Sequence, residues 1–127
     1  MRLSVTDEPF AAARLRAAVE NVAEENGLSG SATFELKLAA TEALANALTH
    51  GAPPVNVTLE CRDDAVEIEI SDCGEFLPNA RPNADGGRGI PLMIALVDEL
   101  AIGHDRAGTR LLLRKRVDAG CAQSLSA

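Results

Sequence analysis

Glu42 and Asn46 stand four residues apart in Thr41-Glu42-Ala43-Leu44-Ala45-Asn46. On a helix that spacing places them one turn apart on the same face. A carboxylate there can take a proton or orient a water or hydroxyl. The neighbouring amide oxygen is a hard ligand suited to Mg²⁺, which keeps several waters and shares the rest of its shell with phosphates. One helix face would thus carry a base and a metal ligand. Asp72-Cys73-Gly74 follows a run of alternating residues that ends Glu69-Ile70-Ser71. An Asp at a strand end can accept a hydrogen bond from an exocyclic amino group, and the Gly permits close backbone approach to a ligand. The same pair also makes an ordinary turn. Gly86-Gly87-Arg88-Gly89 precedes Ile90-Pro91-Leu92. Glycines before a helix start expose N–H groups at the positive end of its dipole, which suits phosphate, and Arg88 offers a further contact. The G-x-x-x-x-G-K-[ST] spacing of a P-loop is absent. Gly108-Thr109 opens the last strand, where the Thr hydroxyl either reaches a buried ligand or is an ordinary strand residue.

These groups need elements to hold them. Residues 2–5 read as an edge strand. Thr6 or Asp7 offers an N-cap, Pro9 suits a first turn, and Phe10 to Asn26 reads as a helix stopped by Gly27. Its apolar face is expected at Phe10, Ala13, Ala17, Val19 and Ala23. A second helix begins at Ser31 and ends at Gly51 with Pro53-Pro54. At about 100° per residue, Glu35, Glu42, Asn46 and Thr49 form a single polar stripe on this Ala- and Leu-rich helix. The stripe faces either solvent or a polar cleft.

Beyond the prolines the period becomes two. Val55, Val57, Leu59 and Cys61, then Val66, Ile68 and Ile70, alternate with polar residues about the turn Arg62-Asp63-Asp64. That is a hairpin with one buried and one solvated face. Residues 72–89 read as loop, and Ile90 to about Leu100 as a short helix buried nearly all round. Residues 99–102 and 109–117 read as a closing hairpin with Gly103, His104 and Gly108 in its loop. The order predicts an α+β two-layer sandwich with a mixed, mostly antiparallel sheet, one domain over residues 1–117, and a flexible tail at 118–127.

Composition narrows the function classes. The 127 residues are 46% hydrophobic and 24% charged, which fits a globular domain. Twelve Lys and Arg against 19 Asp and Glu give a net charge of −7. That argues against nonspecific duplex binding and against anionic membranes. Phe10, Phe34 and Phe76 are the whole aromatic complement, too few for a stacking platform on single strands. Cys61, Cys73 and Cys121 show no C-x-x-C pair and no zinc-ligand spacing with His50 and His104. Reduced thiols, no apolar run near the length of a membrane span and no signal-peptide pattern lead us to expect a cytoplasmic protein.

In this order the motifs resemble those of the GHKL ATPases with the Bergerat, or histidine-kinase-like ATPase, fold. Within that superfamily the chain is most similar to the small RsbW-type serine/threonine-protein kinase anti-sigma factors. Thr41 to Gly51 looks like their N box and Asp72-Cys73-Gly74 like the first glycine box. Gly86 to Ile90, continuing to Glu99, looks like the second, and Gly108-Thr109 matches the terminal strand; the likeness spans roughly residues 5–116. It implies that Asn46 holds Mg²⁺ against the phosphates of ATP and that Glu42 is the general base toward a serine hydroxyl or water. Asp72 would bind the adenine amino group, with Gly74 allowing approach and Thr109 in support. Gly86, Gly87, Arg88, Gly89 and Ile90 would wrap the phosphates. The resemblance further implies a homodimer that sequesters a sigma factor and phosphorylates an anti-anti-sigma protein of the STAS type. The first glycine box departs from D-x-G-x-G, since Phe76 replaces the second Gly, and nine residues separate Phe76 from Gly86. That departure supports an alternative: a nucleotide-gated binding module of the same fold without kinase activity. The detached ATPase domain of a histidine kinase is a third reading.

Overall fold

The alternating stretch after Pro54 pairs as its period requires. In the computed structural model, which describes residues 1–5, 9–74 and 89–117, it forms β2 (Val55–Arg62) and β3 (Ala65–Asp72) of a hairpin. Asp63 and Asp64 take positive φ at the turn, the backbone that two-residue hairpin loops demand. The chain order is β1 (Arg2–Val5), α1 (Ala11–Glu25), α2 (Gly30–His50), β2, β3, α3 (Gly89–Leu96), β4 (Glu99–Asp105) and β5 (Gly108–Arg116). The strands lie in the order β1-β2-β3-β5-β4. The expected α+β architecture forms. Every pairing among the described strands is antiparallel, where a mixed sheet was expected.

The core lies between one sheet face and the helices. Val55, Val57 and Leu59 of β2, Val66, Ile68 and Ile70 of β3, and Leu113 of β5 meet Leu15, Val19 and Val22 of α1 and Leu36, Ala40, Ala43 and Leu44 of α2. The alanines of α2 let that helix sit close to the strands and pack against both α1 and α3.

Local expectations change at four elements. The buried face of α1 is Ala11, Leu15, Ala18, Val19, Val22 and Ala23, while Phe10 is 71% exposed and Ala13 and Ala17 face solvent. Leu15 and Val22, seven residues apart, set the phase, because they bury more apolar area than any alanine. Phe10 occupies the cap position without a side-chain cap; the candidate caps Thr6 and Asp7 lie outside the described residues. Helix α2 is capped by Ser29, whose hydroxyl accepts from Ala32 N at 3.2 Å, and it begins at Gly30, one residue before the Ser31 start predicted. Helix α3 ends at Leu96 and buries Met93 alone, with Leu92 and Ile94 exposed, so it is not buried all round. The closing hairpin is longer than expected, with Gly103 and His104 in β4 and the turn at Arg106-Ala107.

The other sheet face is held by charge. Glu60, Glu67, Arg114 and Glu99 are successive cross-strand partners. Arg114 Nε lies 2.8 Å from Glu67 Oε2 and its Nη1 2.8 Å from Glu99 Oε2, while Arg62 reaches Glu60 at 2.9 Å. The hydrogen bond and charge of Arg114 hold the Glu99 carboxyl below its ordinary value. A carboxyl depressed on folding stabilises the fold above its unfolded-chain value and loses that contribution as pH falls through the folded one. The thermal midpoint should therefore decline as pH drops below the ordinary glutamate value of about 4.3. Glu99→Gln should show a shallower decline in the same melts, and an identical pH profile would remove this pair from the acid sensitivity.

Candidate functional site

Asp72, the last residue of β3, lies where three chain segments converge. Its Oδ1 accepts the N–H of Gly74 at 2.7 Å and that of Ala52, just beyond α2, at 3.4 Å. Cys73 N–H donates to Ala52 O at 2.8 Å, lacing the end of β3 to the exit of α2. On the third side Thr109 of β5 is the register partner of Asp72. Its hydroxyl donates to Gly74 O at 3.3 Å and lies 3.4 Å from His104 Nδ1.

The glycines make this convergence possible. A methyl on Gly51 would run into the Asp72 carboxylate. One on Gly74 would meet Ala52 N at 2.8 Å and Gly51 Cα at 2.9 Å. Gly108, at φ +136°, would carry its methyl into the Asp72 and Cys73 backbone, in a conformation that L side chains rarely adopt. The room left by the missing side chain at Gly74 is thus taken up by the chain itself. Oδ2 of Asp72 has no hydrogen-bond partner among the described residues, although the side chain is half-buried. An acceptor in that state suits an exocyclic amino group.

Helix α2 carries the rest. Lys37 on one flank pairs with Glu20 of α1 at 3.0 Å, and Glu35 on the other lies 3.5 Å from Lys115 of β5. Glu42 and Asn46 share the flank of Glu35, since seven and eleven residues are close to whole helical turns. Both are half-buried. The outermost face of α2 belongs instead to Phe34, 61% exposed, and Leu38, 41% exposed. Glu35, Glu42 and Asn46 therefore border the α3 side of α2 rather than its solvent crest, while Thr49 is exposed and turns toward the opposite flank. Asn46 precedes Gly51 by five residues, about 7.5 Å along the axis, so the amide and the Asp72 carboxylate belong to one end of the molecule.

Gly89 is the first residue of α3, and Ile90 packs against the core. Gly86, Gly87 and Arg88 lie outside the described residues. Among the described residues no group of three His, Cys, Asp or Glu side chains could hold a metal. A single amide ligand that leaves the remaining shell to water and phosphate is the donor set that fits here. A depression of about 270 Å³ on the far flank of α2 is lined by Pro9, Ala12, Leu44 and Leu48 and includes neither Glu42 nor Asp72. No helix among the described residues is long and apolar enough to cross a membrane.

Sequence reasoning read Gly51 as a helix stop and passed over Ala52; their contact with Asp72 spans 20 residues of chain. The run Thr49-His50-Gly51, ending the expected helix directly before the prolines, was the one available signal.

Residues 5–115 match the family of histidine kinase-like ATPase domains. A sensor histidine kinase component of Mycobacterium tuberculosis is 40% identical over 75 residues, covering 50% of this chain and 45% of that protein. A probable sensor histidine kinase from another strain matches equally, over 20% of its length. The chain thus spans less than half of these curated relatives. Among solved structures, the RsbU and RsbW domains of a Mycobacterium tuberculosis protein superpose with a TM-score of 0.72 at 24% identity, over 92% of this chain and 32% of that one. The histidine kinase domain of a blue-light activated kinase from Erythrobacter litoralis gives 0.57 at 18%, over 84% and 59%. At these identities the likeness is one of fold.

The glycine geometry is open to test by melting. Gly108→Ala should lower the thermal midpoint, with about 1–3 kcal/mol of strain. Gly30→Ala, where a methyl meets nothing within 4 Å, should raise stability by about 0.4–1 kcal/mol. Equal effects at the two positions would show that Gly108 is not required by its backbone.

Proposed function

The chain belongs to the histidine kinase-like ATPase domain family, and on that premise we propose that it is an ATP- and Mg²⁺-dependent protein-serine/threonine kinase acting as an anti-sigma factor. In this reading it holds a sigma factor, phosphorylates a STAS-type anti-anti-sigma protein, and works in the cytoplasm as a homodimer. The observation that carries the nucleotide reading is Asp72, half-buried at a strand end, with Oδ1 engaged by two backbone N–H groups. So fixed, the carboxylate has Oδ2 available to select adenine by its amino group. The fold shared with the RsbW-containing structure supports the finer assignment.

Bound ATP would supply an activated phosphoryl group. Asn46 would hold the metal through its side-chain oxygen, and Gly89 at the start of α3, with Gly86, Gly87 and Arg88 before it in sequence, would supply backbone N–H groups and a guanidinium to the phosphates. Glu42, on the same flank of α2, takes the proton of the attacking serine or threonine hydroxyl. Ile90 anchors α3 against the core, and Thr109 keeps the Gly74 turn in place through its hydrogen bond.

A second reading is favoured by the two sensor histidine kinases that are 40% identical to this chain over 75 residues: the domain would then serve phosphorylation of a histidine. Labelled ATP with candidate acceptor proteins separates the cases. Acid-stable label on an anti-anti-sigma protein supports the serine/threonine kinase, and acid-labile label supports histidine transfer. Tight ATP binding with no label on any partner points to a nucleotide-gated module.

Three substitutions probe the roles. Asn46→Ala should abolish the Mg²⁺ dependence of ATP binding in calorimetric titrations. Asp72→Asn should weaken ATP and lessen its advantage over GTP. Glu42→Ala should retain ATP affinity while phosphotransfer falls by about 10²–10⁴; unchanged transfer would remove Glu42 from the mechanism.

A further inference from the structure

Lys115 lies on the helix-facing side of β5, opposite Val66 and two residues from Leu113, both fully buried. Its side chain is only 13% exposed. An ammonium in such a place needs partners, because burying the charge alone is costly. It has two. Nζ donates to Leu96 O at 2.7 Å and lies 3.5 Å from Glu35 Oε1. Leu96 is the last residue of α3, where helix carbonyls lack intrahelical partners and the dipole end is negative. Glu35 stands on the flank of α2 that also carries Glu42 and Asn46.

One side chain thus joins β5, α2 and the end of α3. That helix packs along α2 and against the core through Ile90, Met93 and Leu96, and Lys115 is the charged contact that holds its last carbonyl. It is eight residues long, with Met93 its fully buried side chain and Leu92 and Ile94 exposed. Its first residue, Gly89, ends the second glycine segment. We propose that Lys115 is a positioning residue for the phosphate half of the site: by gripping the far end of α3 it sets where Gly89 stands relative to Asn46. This rests on the nucleotide reading above, and it leaves the Asp72 end untouched.

Lys115→Met keeps the aliphatic stem and removes the donor. The expected result is ATP affinity about tenfold weaker, the scale of one lost charge-assisted hydrogen bond, with adenosine affinity unchanged by ligand-observed NMR. Lys115→Arg should restore most of the ATP affinity. In the nucleotide-free protein, Lys115→Met should speed hydrogen exchange of the α3 amides and leave β2 and β3 as in wild type. Equal losses for ATP and adenosine, or α3 exchange that does not change, would overturn the proposal. Absence of ATP binding by the wild type would instead sink the nucleotide reading, and α3 exchange alone would then decide whether Lys115 tethers the helix.

Discussion

The grip of two backbone N–H groups on Asp72 Oδ1 is the contact on which the site's geometry depends. It fixes a carboxylate at the tip of β3 and simultaneously closes the exit of α2 onto the sheet. The seam can form only because Gly51, Gly74 and Gly108 bring three backbones closer together than Cβ atoms would permit. Thr109 completes it from the adjacent strand. A structural demand and a chemical one therefore fall on the same few residues. The turn that holds Asp72 in place also leaves one of its oxygens without a protein partner among the described residues.

Helix α2 shows how composition distributes tasks around an axis. Its alanines and leucines fill the arc against the sheet and α1. Polar residues cannot share that arc without unpaired groups, so they occur at its margins. One margin is closed by the Lys37–Glu20 pair, and the other carries Glu35, Glu42 and Asn46. The second margin runs alongside α3, the element opened by the glycine segment.

Charges divide between the two sheet faces. On the outer face, rows of Glu and Arg pair across strands; the exposed pairs of Arg62 with Glu60 and Arg110 with Asp105 contribute modestly, while Arg114 and Glu67 are largely buried. On the helix face Lys115 stands among buried apolar side chains and is satisfied by a helix end and one carboxylate. Desolvation makes Lys115 on one face and Arg114 with Glu67 on the other depend on their partners.

The sequence by itself determined the order of elements, the hairpin of β2 and β3, the span of α2 and the single-turn spacing of Glu42 and Asn46. All of these follow from local periodicity, glycine, proline and side-chain polarity, which act between residues near one another in the chain. Tertiary structure alone decided which alanines of α1 turn inward, how short α3 is, and that every described strand pairing is antiparallel. It also decided that Gly51 and Ala52 meet Asp72 and that Lys115 reaches Glu35. Those outcomes depend on contacts between segments tens of residues apart. A helix as rich in alanine as α1 has no strong phase of its own, and a lysine within Arg114-Lys115-Arg116 looks the same whether it ends in water or against a helix terminus. Packing against the rest of the chain chooses, because only there are the areas buried and the partners gained.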